Sequence, residues 1–130
     1  MEDRNITSVP SRAPLGAGTV IHDLKWSAAE KVIARKAFNL ALERELQAVI
    51  LEAKSKAAKM QEPSGLWDLE RYLTHRRQEI DRIYDYRYSV LPFVLSNLLS
   101  NGRLVEDELQ GLGEDKLSWI QRGRSISLKR

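Results

Sequence analysis

The chain has 130 residues, a formal net charge of +3 and no cysteine, so disulfides, thiolate chemistry and zinc-thiolate sites are excluded. Its length favours one domain, and its apolar content of 42% is enough for a core. It shows neither a signal-peptide pattern nor the roughly 20-residue apolar run that spans a bilayer, so we expect a soluble cytoplasmic protein without a membrane partner.

The N-terminal segment, residues 1–24, has no hydrophobic period and contains Pro10, Pro14, Gly16 and Gly18. We expect it to be a flexible tail. The two glycines do not form a phosphate-binding loop, because no Gly-Lys-Ser/Thr sequence follows them.

A long first helix is predicted over residues 27–61. Ser27 and Glu30 have the spacing of a capping box, and no proline or glycine follows until Pro63. At 1.5 Å per residue the helix would be roughly 50 Å long, whereas a compact monomer of this size is about 35–40 Å across. The helix must project, and a second helix or a second chain must cover its apolar stripe. That stripe consists of Ala34, Phe38, Leu42, Leu46, Val49, Ala53, Ala57 and Met60.

A second helix is predicted from about Leu66 to Tyr86, after the turn at residues 63–65. Arg77 lies on its apolar face and should find a carboxylate partner, because an unpaired buried charge is costly. The candidate partners are Glu79, Asp81 and Asp85, within the chain or across a dimer. Residues 25–86 would thus form two long helices that build an extended dimerisation stem.

Two aromatic features of this region have alternative interpretations. Trp67 is either a packing anchor against the first helix or an interface anchor. The run from Tyr84 to Tyr88 alternates tyrosine with Asp85 and Arg87. It is either an aromatic corner between helices or an interface, since tyrosine and arginine are enriched at hot spots.

The rest of the chain predicts a small helical head over residues 87–122. Ser89 should cap a third helix that ends at Ser100, with Pro92 tolerated in its first turn. Asn101-Gly102 is a natural stop, and two short helices should follow at about 105–111 and 114–122. Five apolar residues would close the head: Leu109, Leu112, Leu117, Trp119 and Ile120.

The last segment, residues 123–130, is predicted to be a basic flexible tail. Arg122, Arg124, Lys129 and Arg130 occur in the last ten residues without an acid, so the other 120 residues carry −1. A nucleic-acid-binding domain usually has a basic face on its folded part. A nucleic-acid partner is therefore disfavoured, although the basic tail remains a candidate for contacts with phosphate groups.

No constellation of residues predicts catalysis, a cofactor or a metal. His75 and Glu79 share a helical face, but a third metal ligand is not apparent and two arginines adjoin. No serine or threonine has a plausible base beside it. We therefore expect a protein that is not an enzyme and binds no cofactor or metal.

The chain resembles the cyanobacterial fluorescence recovery protein family from Trp26 to about Ile120, without a gap. The resemblance begins with Trp26-Ser27, Arg35-Lys36-Ala37 and Arg44-Glu45-Leu46 in the first helix. It continues through Leu66-Trp67, Leu69, Leu73, Arg77, Glu79-Ile80-Asp81, Tyr84-Asp85, Arg87, Ser89-Val90, Phe93-Val94, Leu98-Leu99, Gly102, Glu108-Leu109, Leu112, Asp115-Lys116 and Ile120.

This resemblance implies an all-α homodimer with long helices at its interface and a C-terminal head at each end. It implies a non-enzymatic regulator that binds the photoactivated orange carotenoid protein, mainly its C-terminal domain, and speeds its return to the resting orange form. Trp67 and Arg77 match family positions at the dimer interface and its functional patch. Phe93 matches a head aromatic that contacts the carotenoid protein.

The chain departs from the family pattern at four positions. Glu70 stands where the family has histidine, Arg71 where it has a functionally important aspartate, and Trp119 where a head lysine contacts the partner. Pro92 replaces an ordinary aliphatic residue. Because charge reversal at a complementary interface is costly, a second interpretation stays open: a regulator of the same fold with a different protein partner.

Overall fold

Four α-helices and one short 3-10 helix make up residues 24–128, the part of the chain that the computed structural model describes. No strand occurs in this range, so the predicted all-α fold class is confirmed. The predicted N-terminal tail lies outside the described residues except for residue 24. In chain order the elements are α1 (Ala28–Ala58), α2 (Ser64–Ile83), α3 (Leu91–Ser100), the 3-10 helix (Glu106–Leu109) and α4 (Glu114–Leu128).

The first helix, α1, begins with the predicted capping box. The amide of Glu30 donates to Ser27 Oγ at 3.0 Å, and the amide of Ser27 donates to Glu30 Oε1 at 2.9 Å. The helix ends at Ala58, three residues before the predicted end at Gln61, and Lys59 is its C-cap. With 31 residues it is about 46 Å long, so the predicted length is nearly right.

The second helix, α2, lies antiparallel against the second half of α1. Its first turn lies beside Met60, and the hydroxyl of Tyr84, just past its end, donates to the carbonyl of Ala41 at 3.2 Å. The helix ends at Ile83, so the predicted end at Tyr86 is wrong. The reason is tertiary packing, because Tyr84 and Tyr86 turn their rings onto Phe38.

The third helix, α3, begins at Leu91 with Pro92 in its first turn, as predicted. The predicted Ser89 cap is wrong, because Val90 is the N-cap residue and makes no side-chain hydrogen bond. The helix ends at the predicted stop, where Gly102 has a φ of +78°. This left-handed conformation favours glycine and lets the chain reverse toward the 3-10 helix.

The two predicted short helices differ from the structure in length. The first is the four-residue 3-10 helix, and the second, α4, continues to Leu128, six residues beyond its predicted end. Residues 123–128 of the predicted basic tail therefore belong to α4, and residues 129–130 lie outside the described part of the chain. A Cβ on Gly123 would lie 2.6 Å from Ser96 Oγ, so this glycine allows α4 to approach α3 closely.

The buried core lies in the head, which α3, the 3-10 helix, α4 and the first half of α1 form together. Ala34, Ala37, Phe38 and Ala41 of α1 face this core. The first half of α1 therefore packs with the head, although the sequence assigned residues 25–86 to the stem. The other core residues are Leu91, Val94, Leu95, Leu98, Leu99, Leu104, Leu109, Leu112 and Ile120.

The stem consists of the second half of α1 and the whole of α2. In contrast to the head, α2 contains no fully buried residue. The stem is thus a two-helix hairpin that extends from a packed head, with apolar side chains still open on one side.

Candidate protein interaction site

A buried carboxylate joins the stem to the head. Glu45 of α1 is only 7% exposed and accepts hydrogen bonds from three elements. Its donors are Arg76 of α2, the Tyr84 hydroxyl at 3.0 Å, and Arg103 Nε, after α3, at 3.0 Å. Arg76 also donates to Glu79 at 2.7 Å. We call Glu45, Arg76, Tyr84 and Arg103 the joint, because they fix α2 against the head.

The electrostatics of the joint keep Glu45 ionised. Burial alone would raise the pKa of Glu45, but the hydrogen bonds from Arg103, Arg76 and Tyr84 lower it below the usual value. Conversely, burial and the hydrogen bond to Glu45 raise the pKa of the Tyr84 hydroxyl. This arrangement is rigid, because two guanidinium groups and a phenol all donate to one carboxylate and hydrogen bonds to an ionised acceptor are strong.

A second carboxylate ties the start of α1 to the start of α4. Besides its part in the capping box, Glu30 accepts from the amide of Gly113 at 2.6 Å and pairs with Lys116 Nζ at 3.0 Å. Burial raises the pKa of Glu30, but the hydrogen bonds from Ser27, Gly113 and Lys116 outweigh it and lower the pKa to about 2. The head is therefore fastened at both ends of its α1 segment.

Sequence reasoning missed the joint, although α1 contains a signal for it. Ala37, Ala41 and Glu45 follow one another at a spacing of four, so they lie on one face of the helix. A glutamate in line with two buried alanines predicts a buried carboxylate that needs cations. The prediction assigned a carboxylate partner to Arg77, within the chain or across a dimer. Within residues 24–128 of one chain Arg77 forms no salt bridge, whereas its neighbour Arg76 pairs with Glu45 and Glu79.

An open groove runs along the stem between α1 and α2. Its volume is about 330 Å³, and five of its lining side chains are aliphatic: Leu42, Leu46, Val49, Leu73 and Ile80. Arg77 and Asp81 also line it. Leu42, Leu46 and Val49 of the predicted α1 stripe thus still line an open groove beside α2, whereas Ala34 and Phe38 of that stripe are buried in the head core. An apolar face of this kind marks an interaction surface.

Three of the predicted site residues lie together near the start of α2. Trp67 is 63% exposed, so most of its side chain is open to contact from outside the chain. Glu70 accepts a hydrogen bond from the Thr74 hydroxyl at 2.9 Å, and Arg71 pairs with Asp68 one turn away. Arg77, two turns further along α2, adds a fourth predicted residue on the stem.

The two remaining predicted residues, Phe93 and Trp119, lie in the head and contact each other edge-on, with ring centroids 5.7 Å apart. Phe93 is 38% exposed, and the guanidinium of Arg122 lies 4.7 Å from the Trp119 ring. An aromatic pair with a cation stacked on it suits contact with a protein surface. The candidate site therefore has two parts, a stem part on α2 and a head part on α3 and α4.

The tyrosine run after α2 is an aromatic corner, as one of the two interpretations predicted. Tyr84 and Tyr86 both meet Phe38 edge-on, with ring centroids 5.5 and 4.9 Å away. Tyr86 in turn meets Tyr88, whose ring lies 5.5 Å from that of Trp26. These rings fix the chain between stem and head.

Within residues 24–128, no group of histidine, aspartate and glutamate side chains is arranged to hold a metal ion. Over the same range, no helix is both long and apolar enough to cross a membrane.

Comparisons with known proteins identify one family. The family described as "Photoprotection regulator fluorescence recovery protein" matches residues 26–122. The fluorescence recovery protein of Synechocystis sp. PCC 6803 is 38% identical over 96 residues, which are 74% of this chain and 88% of that protein.

Solved structures agree with this match. The Fremyella diplosiphon fluorescence recovery protein has a TM-score of 0.73 and 42% identity, over 78% of this chain and 99% of that one. The Synechocystis structure has a TM-score of 0.74 and 36% identity over the same shares of the two chains.

Proposed function

The chain belongs to the fluorescence recovery protein family of photoprotection regulators, and from this membership we propose that it is a homodimer that binds the photoactivated orange carotenoid protein. It accelerates the return of that protein to the resting orange form and has no enzymatic role. The family match across residues 26–122 carries this proposal, because it includes both parts of the candidate site.

The groove of the stem supports pairing with a second copy. Leucine and isoleucine side chains remain open along both of its walls, and a second hairpin would cover them. Burial of apolar area is the main driving force for such association. The resulting dimer would carry one head at each end of a shared stem.

The head supports contact with the carotenoid protein. Phe93, which is exposed, and the half-buried Trp119 form an aromatic pair on a rigid base, because α3 and α4 pack closely through Ser96 and Gly123. A regulator that binds the compact arrangement of its partner's two domains better than the open one shifts the equilibrium toward the compact form. We place this activity in the cytoplasm, as the sequence predicts.

Dark recovery of a photoactivated orange carotenoid protein tests the proposal. The purified chain should accelerate the absorbance change from red to orange in proportion to its concentration. Phe93→Ala should weaken the acceleration, whereas Val32→Ala, which changes an exposed side chain on α1, should not. No acceleration at excess dimer would exclude this partner.

A regulator of the same fold with another protein partner is the second candidate. The observation in its favour is that Arg71 is exposed and Trp119 lies in the head pair, so these two of the four departures from the family pattern lie at the candidate site. The double reversion Arg71→Asp with Trp119→Lys separates the two candidates. Acceleration by the reverted chain but not by the natural one would show that these two residues redirect the protein to another partner.

Binding of nucleic acid through the basic C-terminal residues finds less support. Arg122 stacks on Trp119, and Arg124 pairs with Glu106. Both arginines are therefore engaged within the head. A phosphate-binding tail would lose affinity steeply with salt, and deletion of residues 121–130 would abolish that binding.

A further inference from the structure

Two cations of α1 lie over two rings of the aromatic corner. The guanidinium carbon of Arg35 is 3.6 Å from the centroid of the Tyr86 ring, and Lys31 Nζ is 5.4 Å from the centroid of the Tyr88 ring. Because Lys31 and Arg35 are four residues apart, they share one face of α1. We call Lys31, Arg35, Tyr86 and Tyr88 the corner patch.

The corner patch is open on its cationic side and packed on its aromatic side. Lys31 and Arg35 are exposed, and Tyr88 is 37% exposed. The Tyr86 ring meets Phe38 edge-on at 4.9 Å and Tyr88 at 5.4 Å, both measured between ring centroids. The two cations therefore rest on a base that is held in place by packing inside the chain.

The acids that flank the corner patch in the sequence are already engaged elsewhere. Glu30, which precedes Lys31, pairs with Lys116 in the head. Asp85, which precedes Tyr86, accepts three hydrogen bonds from Arg87 at 2.6 to 3.0 Å.

The two cations of the patch differ in this respect from several other surface arginines. Arg44, Arg87 and Arg124 each pair with a carboxylate. Within residues 24–128, neither Lys31 nor Arg35 forms a salt bridge. In this part of the chain their positive charge is therefore balanced by aromatic rings alone.

A guanidinium group that lies face-on against a ring keeps its hydrogen-bond donors free. All five N–H donors point outward in the plane of the group, so contact through the face uses none of them. The contact also restricts the side chain before any partner binds, which lowers the entropy cost of binding. A carboxylate is the planar acceptor that fits the edge of such a group with two hydrogen bonds.

The spacing of the two cations indicates the shape of what they bind. They lie one helical turn apart, about 6 Å along α1. In an extended segment, acids at alternate positions lie about 7 Å apart on one side of the chain. Such a segment can place one carboxylate at Arg35 and the next at Lys31.

We propose that the corner patch is a further contact surface for the protein partner and takes an extended acidic segment of it. The inference rests on the proposed function and deepens it, because the segment would belong to the photoactivated orange carotenoid protein. A nucleic acid fits the patch less well, since the positive net charge of the chain comes from its last ten residues and not from the folded part around α1.

Charge reversal in the full chain tests the patch. Lys31→Glu with Arg35→Glu should raise the dissociation constant for the photoactivated orange carotenoid protein roughly a hundredfold, because both acids of the segment would then meet like charges. Arg35→Lys keeps the charge but loses the planar donors, so it should raise the constant only about fivefold. Biolayer interferometry on immobilised carotenoid protein under continuous illumination measures these constants.

Lys36→Glu is the matched control. It makes the same charge change next to Arg35, on a side of α1 that is turned by roughly 100°. Lys36 is exposed and lies over no ring within residues 24–128. Its reversal should leave the dissociation constant within about threefold of the natural value.

Salt separates a binding role of the patch from a structural one. Binding by the natural chain should weaken as salt is added, and the double reversal should show a smaller dependence, because it has lost the charge contacts that salt screens. Circular dichroism must show native helix content for each variant. If the double reversal does not fold, the neutral variant Lys31→Gln with Arg35→Gln replaces it and should raise the constant about tenfold.

The outcomes separate failure of the patch from failure of the proposed function. A natural chain that does not bind the photoactivated protein overturns both. If Phe93→Ala weakens binding and the double reversal does not, the patch alone is overturned. Equal losses from the double reversal and from Lys36→Glu would reveal a general effect of charge, which also overturns it. A short DNA duplex that binds the natural chain but not the double reversal would identify a polyanion and overturn the choice of a protein segment.

Discussion

The head and the stem share the helix α1, but they bury their side chains in different ways. In the head, α1 faces three further elements with alanines and Phe38, and Leu95 of α3 is 0% exposed. In the stem, α1 faces one helix that has no fully buried residue, and its main fastening is polar, through Glu45. The head is therefore stable within one chain, whereas the stem depends on the joint and on a cover for its groove.

The largest effect should come from the head core. Leu95→Ala should lower the free energy of unfolding by about 3–4 kcal/mol, because it removes buried methyl groups and leaves a cavity. Leu51→Ala, on the part of α1 that lies in the stem, should change it by less than about 0.5 kcal/mol, since Leu51 is 67% exposed. Urea unfolding of both variants at equal protein concentration checks this. Equal losses would contradict the contrast between head and stem.

Acid should weaken the head through Glu30. Its pKa is lowered to about 2 in the folded chain, below the ordinary value of 4.5, so its contribution is present above pH 4.5 and is lost as the pH falls toward 2. The full shift corresponds to about 3 kcal/mol. Thermal unfolding between pH 6 and pH 2 should therefore show a smaller dependence on pH for Glu30→Gln than for the natural chain.

A matched acid in the stem sharpens that test. Glu52 is exposed and pairs with Lys56 on the helix surface. Glu52→Gln should leave the dependence on pH unchanged, because exposed pairs of this type contribute little. If both glutamine variants altered the pH profile equally, the Glu30 anchor would not account for the acid sensitivity.

Removing the charge of the joint should loosen the stem more than the head. Glu45→Gln keeps the shape of the side chain but leaves Arg103 without a carboxylate and Arg76 with Glu79 alone, which should cost about 2 kcal/mol. Amide hydrogen exchange should become faster in α2 than in α3, because α2 has few other contacts to hold it. Equal acceleration in both helices would show that the joint supports the whole molecule and does not act mainly on the stem.

The sequence predicted the elements whose signals are local. The capping box at Ser27, the stop at Gly102 and the helical period of α1 each depend on residues a few positions apart, and the structure confirms all three. The length of α1 and the open groove along the stem part of its apolar stripe followed from the same period. Of the stem positions, Trp67 is an exposed side chain, as an interface anchor must be.

The sequence did not predict features that depend on distant residues. The end of α2 is set by tyrosine rings that pack on Phe38, over forty residues away, and no local stop signal marks it. The choice of Arg76 instead of Arg77 as the partner of Glu45 depends on how α2 is rotated against α1. If α2 were rotated about its axis by one residue position, Arg77 would face Glu45 and Arg76 would be left unpaired. Helical periodicity alone does not determine this rotation.

The smallest effect should come from the cap of α1. Ser27→Ala removes the acceptor for the Glu30 amide and should cost about 1 kcal/mol. Ser118→Ala, at an exposed position within α4, should instead be neutral or slightly stabilising, because alanine is the better helix former. Faster hydrogen exchange should therefore appear at the head end of α1 and not in α2, whose N-cap residue Pro63 makes no side-chain cap hydrogen bond and is not changed. Faster exchange in α2 would mean that the two parts of α1 open together, and the head would then depend on the stem as much as the stem depends on the head.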